Sequence, residues 1–341
     1  MRRSSAPPRA SSGPAPAPGQ TSIIPSEAPL LGVETPGRIG ERYLVQHELG
    51  RGGMAVVYRV LDVSTGEPMA LKQLLLAEHP RNREALQRLF EHEFRTLAEL
   101  DHPRVIRVDD YGVAPSGPYY TMELLDGGNL TQRAPVPWRE ACALIHDVCS
   151  SLALLHSRRL LHRDVSPHNV RCTAQGNAKL IDFGAMVHMG PAGQAVGTPA
   201  FVAPEVAQRG TLDARTDLFS LGATLYFALT GRPAYPARTF EQLLDVWSKR
   251  PAPPSAYAPE IPQRLDQLVM GLLSLDPALR PRSAFEVMSQ LDACADLEQR
   301  EDLEVARVYL AAPLLIGCED LLAKVQRRTT RARVRRGSGL L

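Results

Sequence analysis

The chain has 341 residues, enough for one large domain or two medium ones, and its formal net charge of +2 with 44% hydrophobic residues excludes a wholly disordered or nucleic-acid-coating protein. Residues 1–40 hold four Arg and two Glu, residues 324–341 hold seven bases and no acid, and the body between carries 28 bases against 35 acids, a mildly acidic globule with basic ends. Five cysteines (Cys142, Cys149, Cys172, Cys294, Cys318) without a CxxC pair argue for reduced thiols in a cytoplasmic setting, against a disulfide framework or zinc site.

Residues 1–40 contain eight prolines among Ala, Ser and Gly and read as a disordered leader, too poor in apolar area to offset the entropy of ordering. No apolar stretch follows the two early arginines, so the segment is not a secretory signal. From Tyr43 to about Ala77 the pattern predicts strands around a glycine cluster: Tyr43-Leu44-Val45, Ala55-Val56-Val57-Tyr58 and Met69-Ala70-Leu71. Residues 82–100 switch to helical spacing, with Leu86, Leu89, Phe90, Phe94, Leu97 and Leu100 on one face. Short strands are predicted near 105–111 and 119–124, and helices over 138–156, 216–230, 239–249, 263–274 and 283–293. A strand-rich front and a helix-rich back predict an α+β chain of two lobes. A further helical stretch over 297–327, broken at Pro313, leads into an arginine run from Arg327 to Arg336. The longest late apolar run, 309–317, is too short to span a membrane.

Of the 39 basic residues, 35 are Arg, so each of the four lysines (Lys72, Lys179, Lys249, Lys324) asks why arginine does not serve there. Leu49-Gly50-Arg51-Gly52-Gly53-Met54-Ala55-Val56-Val57 lies between two strand signals. Taken alone it fits a hairpin turn as well as a phosphate cradle, but the β-branched residues after it exclude a Rossmann loop, which needs a helix there. Glycines free backbone N–H groups to approach anionic oxygens. Fifteen residues on, Lys72 ends Met69-Ala70-Leu71-Lys72, where a compact ammonium can reach phosphate as a point charge. Glu93, four residues before Leu97, shares the helix's inward edge and can pair with Lys72; Glu84, Glu91 and Glu99 read as solvated.

The most specific segment is Leu161-His162-Arg163-Asp164-Val165-Ser166-Pro167-His168-Asn169, followed by Asp182-Phe183-Gly184, Gly197-Thr198-Pro199 and Ala203-Pro204-Glu205. In this order and spacing, over roughly residues 41–293, the chain resembles the eukaryotic-like serine/threonine protein kinases of bacteria. The resemblance implies a small β-rich lobe over about 43–125, a larger helical lobe over about 126–293, and a C-terminal extension over 294–341. It further implies ATP beneath the glycine loop, with Leu49 and Val57 on the adenine, Ala70 beside them, Met122 as gatekeeper and Glu123–Leu125 as the hinge. Lys72, paired with Glu93, would hold the α- and β-phosphates; Asp164 would accept the substrate hydroxyl's proton; Asn169 and Asp182 would hold Mg²⁺ or Mn²⁺. Leu97, Val108, His162 and Phe183 would stack on an anchor at Asp217, and Glu205 would pair structurally with Arg280.

Three residues depart from that pattern. Ala55 replaces the third loop glycine; Ser166 stands where a lysine is usual, removing a cation from the γ-phosphate; Arg171 stands where the adenine floor is usually Leu. Arg171 either packs its stem or guanidinium plane under the base or points outward while a neighbour fills the floor. The resulting expectation is an ATP-dependent kinase of Ser/Thr hydroxyls on protein substrates in signalling, with an ATP-binding pseudokinase as the alternative. The arginine tail is a solvated run or a dock for an acidic protein, nucleic acid or anionic lipid.

Overall fold

Six antiparallel strands in the order β1-β2-β3-β4-β6-β5 form the front of the molecule, in a computed structural model that describes residues 37–76 and 82–297. In chain order these are β1 (Arg38–Ile39), β2 (Tyr43–Arg51), β3 (Ala55–Asp62) and β4 (Pro68–Leu74), then helix α1 (Arg83–Ala98), then β5 (Val108–Ala114) and β6 (Gly117–Met122). Strict alternation along β3 buries Val56, Tyr58 and Val60 with Ile39, Tyr43 and Leu71 on one face of the sheet. The opposite face takes α1, whose Leu86 and Phe90 pack with Leu74, Leu76 and Tyr120.

Two expectations change here. Ile39, assigned by composition to the leader, pairs in register with Tyr43 and is 1% exposed, so the ordered chain begins before residue 40. Leu89 is 60% exposed. The helix's buried stripe is Leu86, Phe90, Glu93 and Leu97, and at 3.6 residues per turn Leu89 falls past its edge.

The back comprises α2 (Leu130–Arg133), α3 (Trp138–Ser157), β7 (Leu160–Leu161), β8 (Val170–Cys172), β9 (Ala178–Leu180), β10 (Val187–His188), β11 (Gly190–Pro191), α4 (Pro204–Ala207), β12 (Thr211–Leu212), α5 (Ala214–Thr230), α6 (Leu243–Trp247), α7 (Gln263–Leu272) and α8 (Ala284–Ala295). The strands form three two-stranded ribbons, β8–β9, β7–β10 and β11–β12. Helices α3 and α5 are apolar nearly all round and sit in the centre of the core. Cys142 and Cys149 are buried on α3, as their spacing predicts, and burial pushes the Cys142 thiol up to about 12. Helix α5 starts at an Asp213 cap that accepts the Arg215 N–H. Its Gly222 lies against α7, where an added Cβ would stand 2.5 Å from the Leu272 Cβ. The predicted helix over 239–249 resolves into a 3₁₀ turn, Phe240–Gln242, and the short α6. Among the described residues no helix is long and apolar enough to cross a membrane. Residues 1–36 and 298–341, including most of the leader and the arginine tail, lie outside the described residues.

Front and back are stitched where the segment after α1 meets β9: Leu180 N–H donates to the Arg104 carbonyl (2.9 Å) and Ile106 N–H to the Leu180 carbonyl (3.1 Å). Deep in the back, Arg280 uses all five of its donors. Nη1 and Nη2 reach the two Glu205 oxygens at 2.7 and 2.9 Å, and the remaining donors reach the carbonyls of Arg215, Ser274 and Leu275. Both side chains are buried, so removing one strands the other's charge. Glu205→Ala should therefore cost about 3–5 kcal/mol, seen as a lowered urea midpoint at unchanged m-value. Arg280→Lys, with three donors for five roles, should also lower it; an unchanged midpoint in both would mean the pair contributes little.

Candidate active site

A cleft opens between the sheet and the helices. Its roof is the β2–β3 hairpin, closed by Gly52 N–H to the Ala55 carbonyl (2.8 Å). Leu49, Gly50, Arg51, Gly52, Gly53, Met54, Ala55, Val57 and Ala70 line it from above, and Met122, Glu123 and Leu125 from the side. Val56 does not line it. The pleat that turns Ala55 and Val57 into the cleft turns Val56 away into the core beyond the sheet, which corrects its inclusion among the ligand-binding residues. The Glu123 side chain accepts from Lys179 Nζ (2.5 Å) and Arg107 N–H (2.8 Å), tying the connection between lobes to β9.

Arg171 lines the cleft floor with Ile181 and does not point outward. One guanidinium nitrogen donates to the Leu125 carbonyl (3.1 Å), and Nε is buried without a partner among the described residues. Burial lowers the guanidinium pKa, partly opposed by the charge of Asp126.

Under the roof, register sets a row across three strands: Val57 opposite Lys72, and Lys72 opposite Tyr120. Lys72 Nζ donates to Glu93 Oε1 at 2.7 Å and reaches Asp182 Oδ1 at 3.3 Å. Burial opposes the ammonium, but Asp182 and Glu93 hold its pKa well above the ordinary lysine value. The Lys72 charge in turn lowers the Asp182 pKa against the effect of burial. Asp182 sits at φ 60°, a left-handed conformation a non-glycine residue adopts only under constraint.

The floor's other half is the turn from His162 to Asn169. Asp164 Oδ1 accepts from the Thr198 N–H and hydroxyl (both 2.9 Å), and Oδ2 accepts from Asn169 Nδ2 (2.9 Å). Burial, then the nearby Asp182 charge, raises the Asp164 pKa. Gly197 makes this approach possible: at φ 116° a Cβ there would stand 2.8 Å from the Arg163 carbonyl. Ser166 also faces the cleft, fully buried, its hydroxyl without a partner among the described residues. Buried Asp217 accepts His162 N–H (3.0 Å), Arg163 N–H (2.9 Å) and His156 Nε2 (2.9 Å). The His162 ring meets Phe183 edge-on at 4.8 Å, and Leu97, Val108 and Phe183 share one core.

Lys72, Glu93, Asp164, Asn169 and Asp182, spread over 110 residues of sequence, thus converge on one cleft. Nothing in the sequence singles out Tyr120, whose hydroxyl donates to Glu93 Oε1 (3.0 Å), because its place opposite Lys72 follows from β4–β6 register. The Lys179–Glu123 pair had one sequence signal, the scarcity of lysine.

Residues 43–291 match the protein kinase domain family. A probable serine/threonine-protein kinase of Streptomyces coelicolor is 35% identical over 286 residues, 77% of this chain and 41% of the relative. The DNA damage-responsive serine/threonine-protein kinase RqkA of Deinococcus radiodurans is 36% identical over 73% of this chain and 39% of its own length. The serine/threonine-protein kinase PknL of Mycobacterium tuberculosis is 33% identical over 81% of this chain and 70% of its own. The chain therefore spans about two fifths of the first two relatives and most of the third. With the cleft's geometry and these likenesses agreeing, the chain belongs to the protein kinase family, in its two-lobed fold and alongside the bacterial serine/threonine kinases.

Proposed function

We propose that the protein transfers the γ-phosphoryl group of ATP to Ser or Thr hydroxyls of protein substrates. The observation that carries this reading is the convergence of an ammonium held by two carboxylates (Lys72 with Glu93 and Asp182) and a carboxylate held by three donors (Asp164 with Thr198 N–H, Thr198 hydroxyl and Asn169) in one cleft. Adenine would lie between Leu49, Val57 and Ala70 above and Arg171 and Ile181 below, with hinge backbone at Glu123–Leu125 on its edge and the hairpin amides over the phosphates. Lys72 would position the α- and β-phosphates. Asp164 would orient the attacking hydroxyl and take its proton, a role favoured by the raised pKa of its carboxylate.

The donor set fits a divalent ion. Asp182 is kept ionised by Lys72, and Asn169 spends its amide nitrogen on Asp164, leaving its side-chain oxygen as a ligand atom. That suits Mg²⁺, or Mn²⁺, which takes one or two protein oxygens and completes its shell with phosphates and water. Bound there, the ion would neutralise charge on the transferring phosphoryl group. The presence of Lys72, Glu93, Asp164, Asn169 and Asp182 in one cleft favours this reading over a pseudokinase.

Lys72→Met, Asp164→Asn and Asp182→Ala should each lower phosphate transfer to a generic protein substrate by roughly a thousandfold, with folding intact. Wild-type turnover in Asp182→Ala at saturating Mg²⁺ and ATP would refute the assignment. Ser166→Lys restores a cation toward the γ-phosphate and should raise kcat about tenfold if the charge stabilises the transition state by about 1.4 kcal/mol; an unchanged or lower kcat in a well-folded variant counts against this role for the charge.

Activation should not need loop phosphorylation. Between Gly184 and Glu205 Thr198 is the only hydroxyl residue, and it is bound to Asp164, where phosphate would place like charges together. Arg163, the cation that would hold a loop phosphate, instead donates to the loop's own Gln194 carbonyl at 2.6 Å. Phosphatase-treated enzyme should keep its activity, and mass spectrometry should find no stoichiometric phosphate within 185–204. A large loss on dephosphorylation traced to phospho-Thr198 would reverse this conclusion.

A further inference from the structure

The Lys72–Glu93 pair has a third member. Tyr120 stands directly opposite Lys72 on the neighbouring strand, so both side chains leave the same face of the sheet toward α1. Its hydroxyl donates to Glu93 Oε1, the same oxygen that takes Lys72 Nζ, at 3.0 and 2.7 Å. Its ring lies 5.0 Å from Phe90 and 5.7 Å from Phe94, which flank Glu93 on α1, and 5.8 Å from the Lys72 ammonium. Tyr120 is 2% and Glu93 7% exposed, so water does not replace either partner without opening the helix–sheet contact.

We propose that Tyr120 is a positioning residue for phosphoryl transfer, its hydroxyl being the second donor that holds Glu93 in place so that α1 stays seated on the sheet and Lys72 stays aimed into the cleft. The proposal rests on the nucleotide-cleft reading above. Two forces act together in it. The ring anchors α1 through apolar contact with Phe90 and Phe94, which resists separation but permits rotation and sliding. The hydroxyl adds direction, because a hydrogen bond to a carboxylate decays steeply with distance and angle. Burial and the Glu93 charge keep the phenol protonated, hence a donor, across the working pH range. Lys72 alone would leave the position of Glu93 less defined, since its three donors rotate freely and Asp182 competes for them.

The test is Tyr120→Phe, which keeps the ring and removes one oxygen, measured in wild-type and Glu93→Gln backgrounds. In the wild-type background kcat/KM for ATP should fall about tenfold, the scale of a buried hydrogen bond to a charged group, while KM for the protein substrate stays put. With Glu93→Gln already in place the same change should matter less than twofold, because the hydroxyl acts through that carboxylate. Amide exchange in 83–98 should speed up while 55–62 keeps its protection. Equal losses in both backgrounds, no loss at all, a loss that disappears on assay at lower temperature, or insoluble protein would each assign the hydroxyl to folding alone and overturn the proposal. Activity of the wild type and its loss in Lys72→Met are read separately, so failure here leaves the cleft reading standing and failure there is recognised as such.

Discussion

A single buried carboxylate organises the cleft. Asp217, 0% exposed at the start of α5, spends its oxygens on the backbone N–H groups of His162 and Arg163 and on the His156 ring. Burial alone would raise its pKa; the His156 hydrogen bond and the donors after it outweigh that and hold it low, so it stays a strong acceptor. Those bonds stabilise Arg163 at φ 65°, which L-residues avoid, and the turn that results carries Asp164 into the cleft. They also set the His162 ring against Phe183, next to Asp182. The position of Asp164 and Asp182 in the cleft therefore traces to one residue of the rigid helical core that touches neither of them.

Charge balance explains much of the rest. Glu93 and Asp182 meet around one ammonium, Lys72, while Asp164, bound to Thr198 and Asn169, lies in the same cleft, where Ser166 adds no cation. The cleft's other cations, Arg51 and Arg171, are engaged with Glu48 and the Leu125 carbonyl, so a triphosphate would add negative charge beside the two aspartates. A divalent ion would offset that charge; Lys72 lowers the Asp182 pKa, whereas burial and the Asp182 charge raise that of Asp164.

Local signals carried most of the chemistry. Asp164, Asn169 and Asp182 lie in short motifs whose spacing survives without knowledge of the fold, and the helices expected over 138–156, 216–230, 263–274 and 283–293 coincide with α3, α5, α7 and α8 to within a few residues. What escaped is non-local. Ile39 joins the sheet through β1–β2 pairing, which no composition argument over a proline-rich leader reveals. Val56 was grouped with its neighbours because a glycine loop reads as a unit, whereas the pleat splits it residue by residue. Tyr120 became visible only through strand register. The side of the chain to which Arg171 turns depended on the Leu125 carbonyl, 46 residues away.

The lysine economy of the chain gives it a chemical address. Of four lysines, Lys72 and Lys179 are held in ion pairs with side chains 15% exposed, and Lys249 lies open on the surface. Lys72, held protonated by Asp182 and Glu93, is a poor nucleophile toward an amine-reactive reagent, whereas Lys249 is open to it. Arginine, unreactive toward such acylating groups, covers nearly every other cationic position. Acylation of Lys72 would therefore report its release from Glu93 and Asp182, an opening of the contact between α1 and the sheet.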